Sequence, residues 1–312
     1  MVIEALRERG DQMELGVQTS GLTKAYGGTK VVDALDLAVP RGSVYGFLGP
    51  NGAGKTTTMK MLLGLVRPSA GSAKVLGMSV TPRNRVQVNA HVGSLIESPS
   101  RYPHLTAREN LEVVRSLRGL PKRSIGEALA TVRLDHTGSK PVGAFSLGMR
   151  QRLGLAIALM GNPELLLLDE PTNGLDPAGI QEIRELIRHL PVELGCTVLV
   201  SSHLLSEIDQ MSDHVGIISH GKMVWQGPLG ELHARARRWL ELRTTDNERA
   251  ARLLKASCGT DGWVRVSAFD DESVARMTLS LAREGIGIVR LEERNKGLED
   301  IFLALTGSEV SL

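Results

Sequence analysis

The segment GPNGAGKTT at Gly49–Thr57 decides the fold of this chain of 312 residues. Up to Thr56 it fits the P-loop pattern G-x-x-x-x-G-K-[S/T] at every position. An apolar run, Ser43–Leu48, leads directly into the segment, and the helix-forming run Thr56–Leu65 follows it. A P-loop requires a strand, a glycine loop and a helix in this order. The segment therefore predicts a site that holds the phosphates of a nucleotide.

The residue types in this loop have separate physical reasons. Glycine lets backbone amides turn inward and approach phosphate oxygens without a Cβ in the way. Lys55 supplies a positive charge for the β- and γ-phosphates, and the Thr56 hydroxyl is placed to ligate Mg²⁺. The helix that begins here adds its positive end. The predicted nucleotide-binding residues of the loop are Gly49, Pro50, Asn51, Gly52, Ala53, Gly54, Lys55, Thr56 and Thr57.

A second apolar run, LLLLDEP at Leu165–Pro171, supplies two adjacent carboxylates. Its leucines are typical of a short strand buried in a parallel sheet. We expect Asp169 to hold Mg²⁺ through water, and Glu170 to face the other way, toward the water that attacks the γ-phosphate. A positioned base contributes typically about 10²–10⁴-fold to a rate. The two runs together predict nucleotide hydrolysis, with Lys55 and Glu170 in catalytic roles.

The composition narrows the class of protein. A content of 42% hydrophobic and 23% charged residues is enough for a folded core. The formal charge of +2 gives no reason to expect nucleic acid as a partner. No run reaches the roughly 18–20 apolar residues that span a bilayer, and the N-terminus does not read as a signal peptide. These two features predict a soluble, cytosolic protein. Because Cys196 and Cys258 lie far apart and in no metal spacing, we also expect a reduced compartment.

The order of strands and helices predicts an α/β domain at residues 17–228. Its first strands are expected at Val17–Leu22 and Val31–Val39, and a helical subdomain is expected at about residues 98–160. Strands that alternate with helices indicate a mixed, mostly parallel sheet with helices packed around it. Residues 1–16, ahead of the first strand, are predicted to form a disordered leader.

The composition changes after Gly227-Pro228, which indicates a second domain. A basic run, HARARR at residues 233–238, is interpreted as a solvated helix face or a linker. Residues 229–312 show strands and helices in the order βαβ–αβα, which predicts a small two-layer α+β accessory domain. It contains no group of polar residues typical of a ligand site, so a structural or regulatory role ranks first.

The segment FSLGMRQR at Phe145–Arg152 lies at the start of a predicted helix, just before the acidic strand. At this point the sequence resembles the ATP-binding-cassette (ABC) family, whose signature LSGGQ lies in the same place. Ser146 and Gly148 match the signature, and the departures from it are Phe145, Leu147 and Met149. The resemblance covers roughly residues 17–228 and implies a P-loop NTPase of the ABC cassette type that binds and hydrolyses ATP.

The resemblance also implies roles for residues outside the two apolar runs. In the family, the residues at Ser146 and Gly148 contact the γ-phosphate that the opposite subunit binds. His203, in SSH after an apolar strand, matches the switch histidine that hydrogen-bonds the γ-phosphate. Asp176, in NGLD, matches the loop that crosses the dimer interface, and Tyr26 takes the place of the aromatic residue that stacks on adenine. Two copies are therefore expected to pair head to tail.

One position departs from the family in a way that bears on the metal site. After the predicted strand Val92–Ile96 the family normally carries a glutamine that reaches Mg²⁺, whereas this chain has Glu97. A carboxylate ligates Mg²⁺ as well as an amide does, but it brings negative charge close to Asp169 and the phosphates. The predicted metal ligands are therefore Thr56, Asp169 and Glu97.

The resemblance extends to a subgroup, the ATPases of bacitracin, lantibiotic and daunorubicin-type export systems. It rests on Glu97 with Tyr102-Pro103, on FSLGMRQRLG and on the terminal LEDIFLALTG. In those systems a dimer of ATPases drives separately encoded membrane subunits. The resemblance implies transmembrane permease subunits on another chain, a place on the inner face of the cell membrane, and export of an antibiotic, peptide or lipid-like compound.

Two other functions stay open at this point. The chain could be the ATPase of an importer, against which the subgroup features argue. It could also be a soluble ABC ATPase that acts on DNA or ribosomes. Such proteins usually carry two cassettes or a long coiled-coil insert, and this sequence has neither, nor a basic stripe.

Overall fold

The computed structural model describes residues 14–97, 102–234, 238–259, 261–267, 270–295 and 298–306. Residues 1–13 of the predicted leader, residues 98–101 of the predicted helical subdomain and residues 235–237 of the basic run lie outside this description. The chain divides into two compact units, one up to Leu229 and one from Gly230 onward.

The first unit combines strands and helices. Its strands are β1 (Leu15–Tyr26), β2 (Thr29–Leu35), β3 (Ala38–Pro40), β4 (Val44–Leu48), β5 (Ala70–Val75), β6 (Met78–Ser79), β7 (Val92–Leu95), β8 (Leu165–Asp169), β9 (Thr197–Ser202), β10 (His214–Ser219) and β11 (Lys222–Pro228). Its helices are α1 (Lys55–Leu62), α2 (Arg85–Ala90), α3 (Ala107–Arg118), α4 (Arg123–Thr131), α5 (Leu147–Leu159), α6 (Pro177–Leu194) and α7 (Leu205–Met211), and α8 (Leu229–Ala234) begins at the boundary.

The central sheet has the order β11-β10-β4-β9-β8-β7, with β11 antiparallel and the other neighbours parallel. This confirms the predicted mixed, mostly parallel sheet. Strands β4, β8 and β9 are apolar almost throughout and buried, because helices cover both faces of such a sheet. In register, Leu48 lies opposite Ser202, and Asp169 lies opposite Ser201. The segments that follow these strands therefore meet at one edge of the sheet.

A second, antiparallel sheet has the order β2-β1-β5-β6, with β3 also paired to β1. The single strand predicted at Val31–Val39 was wrong, because β2 pairs with the second half of β1 and β3 with the first half. The buried Thr19 hydroxyl holds this break, since it donates to the carbonyl of Leu35 at 2.7 Å and accepts from the N–H of Leu37 at 2.7 Å.

Strands β5 and β6 and helix α2 lie in residues 70–90, for which the sequence predicted no strand or helix. The sequence of β5, AGSAKV, has few large apolar residues, and only Ala73 and Val75 of it are buried. Gly71 has a φ of 76°, and a Cβ there would lie 2.2 Å from the carbonyl oxygen of Gly21. The close approach of β1 to β5 therefore requires glycine, which a pattern of apolar residues does not reveal.

Helices α3, α4 and α5 pack against one another, and α5 also packs on β7. The start of α3 is fixed by a capping box, in which the Thr106 hydroxyl accepts from the N–H of Glu109 and the Glu109 carboxylate accepts from the N–H of Thr106. The start of α5 is capped by Ser146, whose hydroxyl accepts from the N–H of Met149. No helix in the described part of the chain is long and apolar enough to cross a membrane.

The second unit contains β12 (Arg238–Thr244), α9 (Asn247–Leu254), β13 (Ser257–Cys258), β14 (Val264–Ser267), α10 (Asp271–Arg283), β15 (Ile288–Asn295) and α11 (Leu298–Thr306). The antiparallel sheet order β13-β14-β12-β15 with this chain order is the split βαβ arrangement of ferredoxin-like folds. Its core includes Leu240, Leu242, Val264 and Leu281. The Arg265 guanidinium, 2.8 Å from Glu241, lowers the pKa of that carboxyl group.

Gly93 in β7 sets how closely α5 approaches the central sheet. A Cβ at this position would lie 2.0 Å from the carbonyl oxygen of Ala158 and 2.7 Å from Leu166. We expect Gly93→Ala to lower the free energy of unfolding of the first unit by about 1–3 kcal/mol or more, because backbone atoms have to move. Denaturant unfolding followed by circular dichroism measures this.

Gly126, on the exposed side of α4, is the matched control, since a Cβ there would meet nothing within 4 Å. Gly126→Ala is expected to raise the free energy of unfolding by about 0.5–1 kcal/mol, because alanine loses less backbone entropy in a helix. Equal effects of the two substitutions would contradict the close approach at Gly93.

Candidate active site

The P-loop joins β4 to α1 and turns at glycines. Gly54, directly before α1, has a φ of 106°, and a Cβ there would lie 2.7 Å from the carbonyl oxygen of Val31. Only glycine fits this turn, because a residue with a side chain is strained at such a φ and the space that its Cβ would occupy is already filled. Around the turn, Gly49 and Ala53 are buried, Pro50, Thr56 and Thr57 are half-buried, and Asn51 and Gly52 are exposed.

The Lys55 ammonium is buried beneath the loop. It donates to the carbonyl of Gly49 at 2.6 Å and to the carbonyl of Pro50 at 3.3 Å. It also lies 3.2 Å from Oε1 of Glu170. The structure thus brings the predicted phosphate-binding lysine into contact with the predicted base.

Asp169 is held from two sides at the end of β8. Oδ2 accepts from the Thr56 hydroxyl at 2.6 Å, and Oδ1 accepts from the Ser201 hydroxyl at 2.6 Å. Ser201 in turn accepts from the N–H of Glu170 at 2.9 Å. Carboxylate and hydroxyl oxygens side by side are the hard ligands that Mg²⁺ takes. The donor set of Thr56 and Asp169 therefore fits Mg²⁺.

Glu170 contacts the predicted switch histidine as well as Lys55. Its Oε2 lies 2.8 Å from Nδ1 of His203, and its Oε1, shielded from solvent, accepts no hydrogen bond within the described structure. Its φ is 48°, a left-handed conformation that is uncommon for a residue with a side chain. A buried carboxylate oxygen without a hydrogen bond and a strained backbone are both features of functional sites.

The remaining predicted residues lie apart from this cluster and are accessible. Ser146 and Asp176 are exposed N-caps, of α5 and α6, and Tyr26 is 50% exposed with the Lys24 ammonium 4.8 Å from its ring. A Cβ on Gly148 would lie 3.9 Å from Leu175, so the signature segment and the loop before Asp176 are neighbours. In the described residues no hydrogen bond joins Ser146, Gly148, Asp176 or Tyr26 to Lys55, Asp169 or Glu170.

Glu97 is not joined to the predicted metal ligands. Its Oε1 accepts from the Lys60 ammonium at 2.6 Å, its side chain is 66% exposed, and its φ is 57°. No hydrogen bond or ion pair in the described residues links it to Thr56 or Asp169. The described residues also contain no cluster of three or more His, Cys, Asp or Glu that could hold a metal ion. A Mg²⁺ ion here would thus rely on few protein ligands, as is usual where phosphates and waters complete its shell.

The hydroxyl residues that hold the site together were not predicted from the sequence. Ser201 bridges Asp169 and Glu170, and Thr172 and Ser202 both donate to the buried carboxylate of Glu207. The available signal was the pair of serines that ends the mostly apolar strand β9, at the edge where the sheet was expected to carry its chemistry.

Comparison with known proteins decides the family. Residues 32–173 match the family described as ABC transporter. The bacitracin transport ATP-binding protein BcrA of Bacillus licheniformis is 43% identical over 299 residues, which are 93% of this chain and 97% of that protein. The chain belongs to the ATP-binding proteins of ABC transporters. As a member of this family it is an ATPase, which confirms the predicted family and enzyme class.

Further relatives agree with this ABC ATPase assignment. The daunorubicin/doxorubicin resistance ATP-binding protein DrrA of Streptomyces peucetius is 37% identical over 311 residues, 93% of this chain and 92% of that protein. Among solved structures, cbiO1 from Clostridium perfringens, part of the ABC transporter complex cbiONQ, has a TM-score of 0.64 and 26% identity, over 71% of this chain and 92% of that one. The predicted P-loop NTPase cassette fold is confirmed.

The contact between Glu97 and Lys60 leads to a test of the predicted metal site of this ABC ATPase. The ion pair is solvent-exposed, so breaking it costs only about 0–1 kcal/mol and leaves Glu97 free to turn toward the metal. If Glu97 is a ligand, Glu97→Gln should raise the Mg²⁺ concentration for half-maximal ATPase activity several-fold, because a neutral amide attracts the ion less strongly. Titration of ATPase activity with Mg²⁺ measures this.

Lys60→Gln is the control, since it frees Glu97 without changing it. It should leave the Mg²⁺ requirement unchanged or lower it. An identical Mg²⁺ dependence in the wild-type and Glu97→Gln proteins would remove Glu97 from the metal site.

Proposed function

We propose that this ABC ATPase hydrolyses ATP in a head-to-tail homodimer and thereby drives separate membrane subunits that export an antibiotic, peptide or lipid-like compound. The observation that supports it most is the contact of Glu170 with both Lys55 and His203 at the edge of the sheet. The cargo class is supported by the names of the relatives, which concern bacitracin transport and daunorubicin or doxorubicin resistance.

The cluster of Lys55, Glu170 and His203 supports a separate role for each residue in hydrolysis. The P-loop amides and the Lys55 ammonium bind the β- and γ-phosphates, and Lys55 leaves the carbonyls of Gly49 and Pro50 to do so. Oε1 of Glu170 accepts no hydrogen bond from the described residues and lies 3.2 Å from the Lys55 ammonium, and it accepts the proton of the attacking water once Lys55 turns to the phosphates. His203 holds the other oxygen of Glu170 and hydrogen-bonds the γ-phosphate.

The Mg²⁺ site of the proposal uses the oxygens of Thr56 and Asp169, with Glu97 as a further ligand. Bound there, Mg²⁺ supplies charge neutralisation for the phosphates. Thr56 and Asp169 are already in contact at 2.6 Å, so this half of the site needs little rearrangement.

The exposed residues support a second copy as the partner that completes the site. Ser146 and Gly148 present the start of α5, whose positive end favours a phosphate. Asp176 lies on the neighbouring loop, and Tyr26 presents an exposed ring to the adenine. In the proposed dimer each ATP lies between the P-loop of one copy and the Ser146–Gly148 segment of the other, with no nucleic acid involved.

The proposed division of the chain follows its two compact units. Residues 17–228 bind and hydrolyse ATP, and residues 229–312 form an accessory domain with a structural or regulatory role. The accessory domain has a core of its own, around Leu240, Leu242 and Leu281, which supports a separate role. We place the chain on the inner face of the cell membrane, where permease subunits from another chain hold it.

Two substitutions separate binding from hydrolysis. Lys55→Ala should abolish ATP binding, because the phosphates lose their buried positive charge. Glu170→Gln should bind ATP and lower kcat by about 10²–10⁴-fold, because an amide accepts no proton. Because ATP is then not consumed, gel filtration of Glu170→Gln with ATP and Mg²⁺ should show a dimer.

The controls are Lys74→Ala, an exposed lysine of β5, and Glu164→Gln, a carboxylate at the opposite end of β8. Both should leave ATPase activity unchanged. If Glu170→Gln with ATP stays monomeric, the proposed pairing is wrong. A chain that ends at Leu229 shows whether the accessory domain adds to the dimer.

The transport role is tested in cells. Loss of this chain should increase sensitivity to bacitracin or daunorubicin, the two probes suggested by the relatives. Expression of Glu164→Gln should restore resistance, whereas Glu170→Gln should not. The tagged protein should co-purify with a polytopic membrane protein from detergent extracts. Co-purification with ribosomes or DNA instead would contradict the proposal.

A further inference from the structure

Glu207 is a buried carboxylate outside the proposed catalytic cluster. It lies in the first turn of α7 and is 5% exposed. Its Oε2 accepts from the Thr172 hydroxyl at 2.8 Å and from the Ser202 hydroxyl at 2.7 Å. Both donors are neutral and almost fully buried. A buried carboxylate is costly unless hydrogen bonds compensate, and an apolar side chain on α7 would avoid that cost.

The two donors of Glu207 adjoin the two residues of the catalytic contact. Thr172 follows Glu170 by two positions, and Ser202 directly precedes His203. Ser202 also accepts from the N–H of Leu204 at 3.0 Å, on the far side of the histidine. One carboxylate therefore fastens the chain segments that carry the Glu170–His203 contact of 2.8 Å.

The backbone conformation of Glu170 shows why hydrogen bonds have to hold the neighbouring segments in place. Its φ of 48° is unfavourable for a residue with a side chain, so the neighbouring structure has to hold it. On one side, the Ser201 hydroxyl accepts from the N–H of Glu170 at 2.9 Å. On the other side, Thr172 is tied to Glu207. Without the second tie, the segment after Glu170 can relax toward an ordinary conformation and move the carboxylate away from His203.

We propose that Glu207 is a positioning residue, which sets the geometry of Glu170 against His203 through Thr172 and Ser202. It touches neither the nucleotide nor the attacking water. The inference rests on the proposed function, in which Glu170 is the base. It adds a residue of α7, outside residues 32–173 that match the family, to the group on which the rate of hydrolysis depends.

Thr172→Val removes the hydroxyl donor with almost no change of volume. We expect it to lower kcat for ATP hydrolysis by about 10- to 100-fold, because a small displacement of a positioned base has effects of this size. The KM and the dissociation constant for ATP should stay within about twofold, since the P-loop is untouched. Glu207→Ala should lower kcat by a similar factor and likewise leave the KM and the dissociation constant for ATP within about twofold. Thr172→Ser and Glu207→Gln, which keep a hydroxyl donor and an oxygen acceptor, should restore most of the rate.

Thr19→Val is the matched control, because it also removes a buried threonine hydroxyl but at a place away from the site. Thr19 makes two buried hydrogen bonds in the other sheet of the same unit, so its loss destabilises the fold without touching β8 or β9. Its kcat should equal that of the wild type within about twofold. Circular dichroism and thermal unfolding test whether each variant is folded. If Glu207→Ala is not folded, the kcat of the Thr172→Val variant tests the inference.

A double-mutant cycle with His203→Ala gives a readout that a merely structural role does not move. Once His203 is gone, Thr172→Val should lower the residual kcat by less than about twofold, because the contact that it positions no longer exists. Additive losses, or a folded Thr172→Val with wild-type kcat, would overturn the inference. If Glu170→Gln hydrolyses ATP at the wild-type rate, the proposed function fails instead, so the two failures are distinguishable.

Discussion

The parallel pairing of β4, β9 and β8 is the constraint on which the rest of the site depends. Parallel strands present their carboxyl ends at one edge, and the register sets Leu48 opposite Ser202 and Asp169 opposite Ser201. The P-loop follows β4, and Glu170 follows β8. A slip of one residue in either pair would turn every side chain to the other face and separate these groups. The nearly continuous burial of the three strands makes that slip costly.

Neutral hydroxyl groups hold the edge of the central sheet together, whereas charged side chains carry out the proposed chemistry. Ser201 bonds Asp169 and the backbone of Glu170, and Glu207 bonds two further hydroxyls. Neutral donors hold the Asp169 carboxylate without cancelling its charge, whereas the Glu170 carboxylate contacts Lys55 and His203. The buried Lys55 ammonium offsets part of this charge at 3.2 Å from Glu170. In a buried region such compensation is needed, because an unpaired charge is very unfavourable.

Features that lie within one short segment could be predicted from the sequence, whereas features that depend on contacts between distant segments could not. The P-loop and the acidic strand end could be found because each lies in one short segment. The break between β2 and β3 could not, since the apolar pattern is continuous and the break is held by Thr19 of another strand. Glu207 was missed for the same reason. In the sequence it is an ordinary polar residue of a short helix, and its partner Thr172 lies 35 residues away.

The helix ends of one copy also give a reason for the proposed dimer. Helix N-termini attract phosphate because their first N–H groups lack partners. The start of α1 lies at the P-loop beside Lys55, whereas the start of α5 is capped by the exposed Ser146, which no described hydrogen bond links to that cluster. In the proposed dimer, α5 of a second molecule supplies the other helix end to the γ-phosphate. The proposed head-to-tail dimer accounts for both helix ends, because it brings two different surfaces of the same chain to one nucleotide.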